Sequence, residues 1–228
     1  MKRILIGVAA ALLLIAGSGA VRAEESNWVE AGVKWWVNDW THDDPRFGSI
    51  TSDTTVLFGP EIKVKFPNHV FVEASYLFSL SDYTFSDNFN TTFNDDRQDA
   101  NVAIGYMIVP EFGVLAGYKN SVNRTKETGI QDTVDGPVIG MVLNAPMYYN
   151  ASFYGKLNYL FTRFKQQGGG INGFQEDSPG WMWEFGFKVA FTRQFYGTFG
   201  WRYETNTGSN SNVQDSFSGL IFGATLAL

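Results

Sequence analysis

GWMWEFGFKVAFTRQFYGTFGWRYE, residues Gly180 to Glu204, is two strands and a turn. Trp181, Trp183, Phe185, Phe187, Val189 and Phe191 fall on one face, and Met182, Glu184, Gly186, Lys188 and Ala190 on the other. After Thr192-Arg193-Gln194 the pattern resumes: Phe195, Phe199, Trp201 and Tyr203 oppose Thr198, Gly200, Arg202 and Glu204. Spacing of two is that of a β-strand. A soluble barrel would hide the large face, but ten such segments of Trp, Phe and Tyr would overfill its lumen. Pointing the aromatics at lipid removes the volume conflict. Unpaired backbone groups cannot face hydrocarbon, so the sheet must close.

The same alternation runs outward from this hairpin. Ten strand-like segments are predicted, near 27–41, 53–66, 70–81, 98–109, 112–121, 133–145, 148–164, 181–191, 195–205 and 214–228. In the second, Val56, Phe58, Ile62, Val64 and Phe66 oppose Leu57, Gly59, Glu61, Lys63 and Lys65. The connections alternate in length. Pro67-Asn68-His69, Pro110-Glu111, Ala145-Pro146-Met147 and Thr192-Arg193-Gln194 are short; 42–52, 82–97, 122–132, 165–180 and 206–213 are long and polar. Short turns on one rim and long loops on the other predict an all-β, closed antiparallel up-and-down transmembrane barrel, with the short rim periplasmic. An even strand count puts both termini on that rim. Eight strands is the alternative, if one hairpin stands above the membrane as a loop.

The last segment, from Asp215 to Leu228, aligns Leu220, Phe222, Ala224, Leu226 and Leu228 on one face. Its expected partner is the first segment, through Val29, Ala31, Val33, Trp35 and Val37. At the other end, Lys2 and Arg3 precede an apolar run from Ile4 to Ile15 and small residues up to Ala23. This predicts a cleaved signal peptide over 1–23 and a barrel domain over 24–228. Removing the leader leaves 14 basic against 23 acidic residues, a net charge of −9, which argues against a nucleic-acid partner. With no cysteine, neither disulfides nor thiol chemistry is available.

Inward positions carry isolated charges: Glu30, Lys34, Glu61, Lys63, Glu73, Asp99, Lys119, Lys156, Glu184, Lys188, Arg202 and Glu204. Reflection about the tight turns sets Glu184 opposite Arg202 and Lys63 opposite Glu73. Desolvated charges in a narrow lumen need partners, so a complementary network among small residues is expected. It either fills the interior or lines a narrow aqueous path. Aromatics near segment ends predict interfacial belts: Trp40, Tyr83, Tyr118, Trp181 and Tyr203 outside, and Phe66, Phe112, Tyr148, Phe191 and Phe195 on the periplasmic rim. Arg46, Lys119, Arg124, Lys126, Arg163 and Lys165 are positioned to meet lipopolysaccharide phosphates.

Candidates for chemistry are few. The chain has two histidines, His42 and His69, and the latter falls in a periplasmic turn. His42 stands with Asp43 and Asp44 at the outer lip, where a histidine beside carboxylates can activate water. In that chemistry and in strand count it is similar to the omptin family of outer-membrane proteases. This sequence has no Asp-x-His segment, no matching paired-aspartate motif on a second loop, and is shorter, so no enzymatic activity is expected. His42-Asp43-Asp44 and Asn94-Asp95-Asp96 offer oxygen ligands for calcium, but loops rich in Asp and Asn are ordinarily solvated, and no metal or other cofactor is expected.

Taken over the mature chain, the leader, the stretches from Gly180 and from Gly200, and the terminal strand resemble small bacterial outer-membrane barrels of the up-and-down type. That resemblance implies outer-membrane lipid and lipopolysaccharide as surroundings. It also implies the barrel assembly machinery as a partner, reading Gly223, Leu226 and Leu228 as its signal, with leucine where relatives usually end on an aromatic. The expected function is a barrel with a packed polar interior, acting structurally or through its extracellular loops. A narrow porin-like channel is the alternative, and a hydrolase at the lip a third reading.

Overall fold

The computed structural model describes residues 28–86, 92–148 and 150–228. The predicted leader lies outside them, as do Phe89 and part of the 82–97 loop. Ten long strands close into one barrel: β1 (Trp28–Asp44), β3 (Thr55–Lys65), β4 (Val70–Ser79), β6 (Thr92–Val109), β7 (Phe112–Thr125), β8 (Gln131–Tyr148), β9 (Ala151–Leu160), β12 (Gly180–Ala190), β13 (Phe195–Thr207) and β14 (Gln214–Ala227). Each pairs antiparallel with its sequence neighbour among the ten, and β1 pairs with β14 to close the ring. That last ladder runs from Glu30↔Ala227 to Asp43↔Gln214 and sets Ala31, Val33, Trp35 and Val37 beside Leu226, Ala224, Phe222 and Leu220. Ten strands, rather than eight, is the outcome.

The long connections are not plain loops. β6, β7 and β8 continue well past the predicted ends, and four short strands stand on the outer rim: β2 (Gly48–Thr51), β5 (Tyr83–Ser86), β10 (Arg163–Gly168) and β11 (Ile171–Asp177). They pair with the raised ends of β1, β6 and β8, and β10 with β11. Water satisfies what the ladders leave open there, so strands can extend beyond the membrane without closing. Gly168, Gly169 and Gly170, at φ of 90°, 60° and 77°, make the β10–β11 turn in a region that L side chains rarely adopt. On the opposite rim the turns are tight. After Phe191, the Thr192 hydroxyl accepts from the amides of Gln194 and Phe195 at 3.2 and 2.9 Å. The turn expected at 145–147 instead falls after Tyr148, because β8 carries a bulge between Pro146 and Tyr148.

The outer wall is an apolar girdle. Ile62, Ile104, Ile139, Phe185, Phe199 and Leu220 are all exposed large hydrophobics, an arrangement that suits lipid and not water. Rings pack across its strands, with Trp183 stacked on Tyr203 at 5.3 Å and Phe199 tilted against Phe222 at 5.4 Å. Tyr118, Trp181 and Tyr203 lie at the outer edge of this girdle, and Phe66, Phe112, Tyr148, Phe191 and Phe195 toward the other rim. Above the outer edge the outward residues turn polar, as at Asp39, Asp135 and Lys165, which places the upper ends of the strands outside the membrane.

Two belt residues are corrected. Trp40 is 5% exposed and Tyr83 is fully buried, both inside the barrel. Trp40 shares the parity of Trp36, Asn38 and His42, all inward, and Tyr83 sits on β5, folded over the mouth, where its hydroxyl donates to Asn38 Oδ1 at 2.8 Å. The expected lumen of small residues and charges is corrected too. Trp36, Leu57, Leu77, Phe217 and Ile221 join Trp40, Tyr83 and Phe85 in an apolar cluster inside the outer half.

Candidate functional site

The interior has three levels. Nearest the periplasmic rim is a cavity of about 290 Å³ lined by charged residues from facing walls. Lys34 bridges Glu61 at 3.0 Å and Glu184 at 3.4 Å, Lys188 bonds Glu30 at 2.6 Å, and Lys156 with the more distant Lys63 holds Glu73. The reflected registers occur, since Glu184 faces Arg202 and Lys63 faces Glu73. The ion pairs only partly follow them. Glu184 bonds Lys34 from three strands away around the ring, because in a barrel this narrow a non-adjacent strand is within reach of a long side chain.

Above the cavity the charges are dry. Asp99, Lys119 and Glu204 are fully buried, and Arg97 and Arg202 are 2% and 3% exposed. Lys119 bonds Asp99 at 2.8 Å and Glu204 at 3.0 Å; Arg97 bonds Glu204 at 2.8 Å; Arg202 reaches both carboxylates at 3.1 Å. The guanidinium of Arg97 stacks over Phe217 at 3.7 Å and that of Arg202 over Trp36 at 4.2 Å, which joins this cluster to the apolar one above it. Lys119 therefore belongs to the lumen and does not reach lipopolysaccharide. Arg97 was missed by reading 82–97 as loop; the run Asp95-Arg97-Asp99 at spacing two was the available signal.

The third level is the mouth, on the raised strand ends. His42 on β1 bonds Asp215 on β14, Nδ1 to Oδ1 at 2.8 Å, and the Trp40 indole donates to the same oxygen at 2.8 Å. That bond holds the imidazole pKa above its ordinary value, against burial. Asp44 turns aside to pair with Arg46 at 2.9 Å. On the facing wall, Asp95 (β6), Asn123 (β7) and Asp132 (β8) point inward from adjacent strands, with Asn123 directly opposite Asp132 in the ladder. Burial, joined by the like charges of Asp215 and Asp95, pushes Asp132 up to about 6, against a hydrogen bond from Gln166 and the nearby His42. Burial raises Asp95 as well. Among the described residues neither carboxylate has a salt-bridge partner, and no group of three His, Asp or Glu is placed to hold a metal. Asp95 and Asp96 alternate between inside and outside, so the Asn94-Asp95-Asp96 run does not converge on one ion.

The residues expected to form an assembly signal divide between faces. Leu226 and Leu228 are exposed at the periplasmic rim. Gly223 points inward, where a Cβ would come within 2.3 Å of Thr198 Oγ1.

No family model matches this chain, and no curated protein matches it by sequence. Solved structures do match its fold. The outer membrane protease OmpT from Escherichia coli is 11% identical, with a TM-score of 0.58 over 92% of this chain and 98% of that one. Neisserial surface protein A is 13% identical with a TM-score of 0.44, over 88% and 96%. The translocator domain of the autotransporter NalP from Neisseria meningitidis is 10% identical with a TM-score of 0.45, over 96% and 95%. The chain is a small β-barrel with the architecture of integral outer-membrane proteins.

Proposed function

We propose that this protein is a non-conducting outer-membrane barrel that works from its extracellular mouth. The observation that carries this reading is the seal between cavity and mouth: five ionised side chains, none more than 3% exposed, stacked beneath the buried rings of Trp36, Trp40, Tyr83 and Phe217. A solute path through that level would have to break several charge-assisted bonds at once, each worth about 1.5–3 kcal/mol. In planar bilayers the wild-type protein is expected to give no discrete openings; regular openings of the folded protein would overturn the reading and favour the narrow channel.

A second reading, hydrolysis at the mouth, draws on the 2.8 Å bond from His42 to Asp215. A carboxylate on Nδ1 orients the ring so that its other nitrogen can take a proton from water. OmpT, whose fold this chain shares, is a protease. Cleavage of a peptide library by wild type and none by His42→Ala would establish this reading, and equal absence in both would end it.

A further inference from the structure

The wall of the mouth opposite His42 holds three buried oxygens with nothing to bond. Asp95 is 8% exposed and Asn123 is 7% exposed, and in each Oδ1 has no hydrogen-bond partner; Asp132 Oδ1 is likewise buried and unpartnered. An orphaned buried acceptor is costly, and more so when charged. The protein places three together, while its most deeply buried carboxylates, Asp99 and Glu204, are bonded several times over. Their spacing follows from the ladder. Asn123 and Asp132 are direct cross-strand partners, roughly 5 Å apart at the backbone, and Asp95 is diagonal to Asn123 at roughly 7–8 Å. Two of the three are carboxylates and the third an amide, and among the described residues no group of three His, Cys, Asp or Glu is placed to hold a metal ion. The spread of acceptors suits a planar group with several divergent N–H donors.

We propose that this wall binds a guanidinium group presented from the extracellular side, as on an arginine side chain. Five donors in a fixed fork can meet Asp95, Asn123 and Asp132 together, which a single ammonium does less completely. Asp215 across the mouth adds to the negative field that draws the cation in. The cluster of Trp40, Tyr83, Phe85 and Phe217 beneath it closes the bottom, so the ligand docks and does not pass.

The inference rests on the reading that the barrel works from its mouth. Its test is titration calorimetry of the full barrel in detergent, with N-acetyl-arginine amide, N-acetyl-citrulline amide and calcium chloride as separate titrants. Citrulline keeps the shape and loses the charge. Arginine amide is expected to bind at least tenfold more tightly than citrulline amide. Asp132→Asn and Asp95→Asn should each weaken it tenfold or more, while Asp177→Asn, on the exposed rim, should change it less than twofold. Retained heat-modifiable migration on gels establishes that each variant is folded. Equal affinity for the two amides, unchanged affinity in both mouth variants, or binding of calcium alone would each overturn the proposal. A barrel that conducts yet binds arginine amide overturns the non-conducting reading and leaves this one standing. A silent barrel that binds neither amide overturns only this one.

Discussion

The middle of the barrel and its mouth are built from the same residue types to opposite ends. In the middle, Asp99 and Glu204 share three cations, Arg97, Lys119 and Arg202, at 2.8–3.3 Å. In the mouth, Asp95 is buried and Asp132 half-buried with no cation bonded to either, and the histidine there has gone to Asp215. Buried charges that satisfy one another hold a structure together. Buried charges left waiting weaken the fold unless something arrives to complete them, and that is the property expected of a site.

Substitutions can break this contrast or sharpen it. The largest effect is expected for Asp99→Asn, which leaves three buried cations to one anion. Unfolding in urea from detergent micelles should show a loss of about 3–5 kcal/mol. Arg97→Met is expected to cost far less, about 1 kcal/mol, because it leaves two cations against two anions while keeping an apolar chain beside Phe217. If the two variants are equally damaging, charge balance is not what orders the middle. At the mouth the sign reverses. Asp132 titrates at about 6, above its unfolded value of roughly 4, so the folded state keeps a proton that the unfolded chain gives up. Its charge therefore disfavours folding increasingly as pH rises through that window, and fully above it. Asp132→Asn should stabilise the barrel by about 1 kcal/mol at pH 7, after allowance for partial solvent screening, and by nothing below pH 4. The unfolding midpoint of both proteins across that range is the check. His42 acts the other way: its raised pKa contributes stability below the unfolded value, and that contribution is lost as pH rises through the folded one.

Much of the wall was legible in the sequence, because lipid on one side and a narrow lumen on the other impose a strict period of two. Trp181, Phe185 and Phe187 face out and Glu184 and Lys188 face in, as their alternation requires. The register about tight turns followed from reflection alone. Trp40 and Tyr83 did not, since an aromatic near a strand end looks the same whether its side faces the headgroups or the mouth. Parity with Asn38 and His42 would have decided Trp40; nothing local decides Tyr83, which is buried only because β5 folds against β6 and over the opening. The mouth was the least legible part. His42 and Asp215 are 173 residues apart, and their 2.8 Å contact depends on ring closure rather than on any local pattern.

That separation has a consequence for how the protein is made. The β1–β14 ladder joins the two ends of the barrel, so it is the contact with the largest loop to close and the slowest to form. Every other wall ladder can be laid down as a hairpin before it. The His42–Asp215 contact lies across this last seam, and the facing carboxylates come to stand opposite it only once the ring is shut. A partly assembled chain could carry the Asp95–Asn123–Asp132 wall on its hairpins, but not the His42–Asp215 contact that faces it. Biogenesis thus sets the geometry of the mouth, which is completed in the same step that closes the ring.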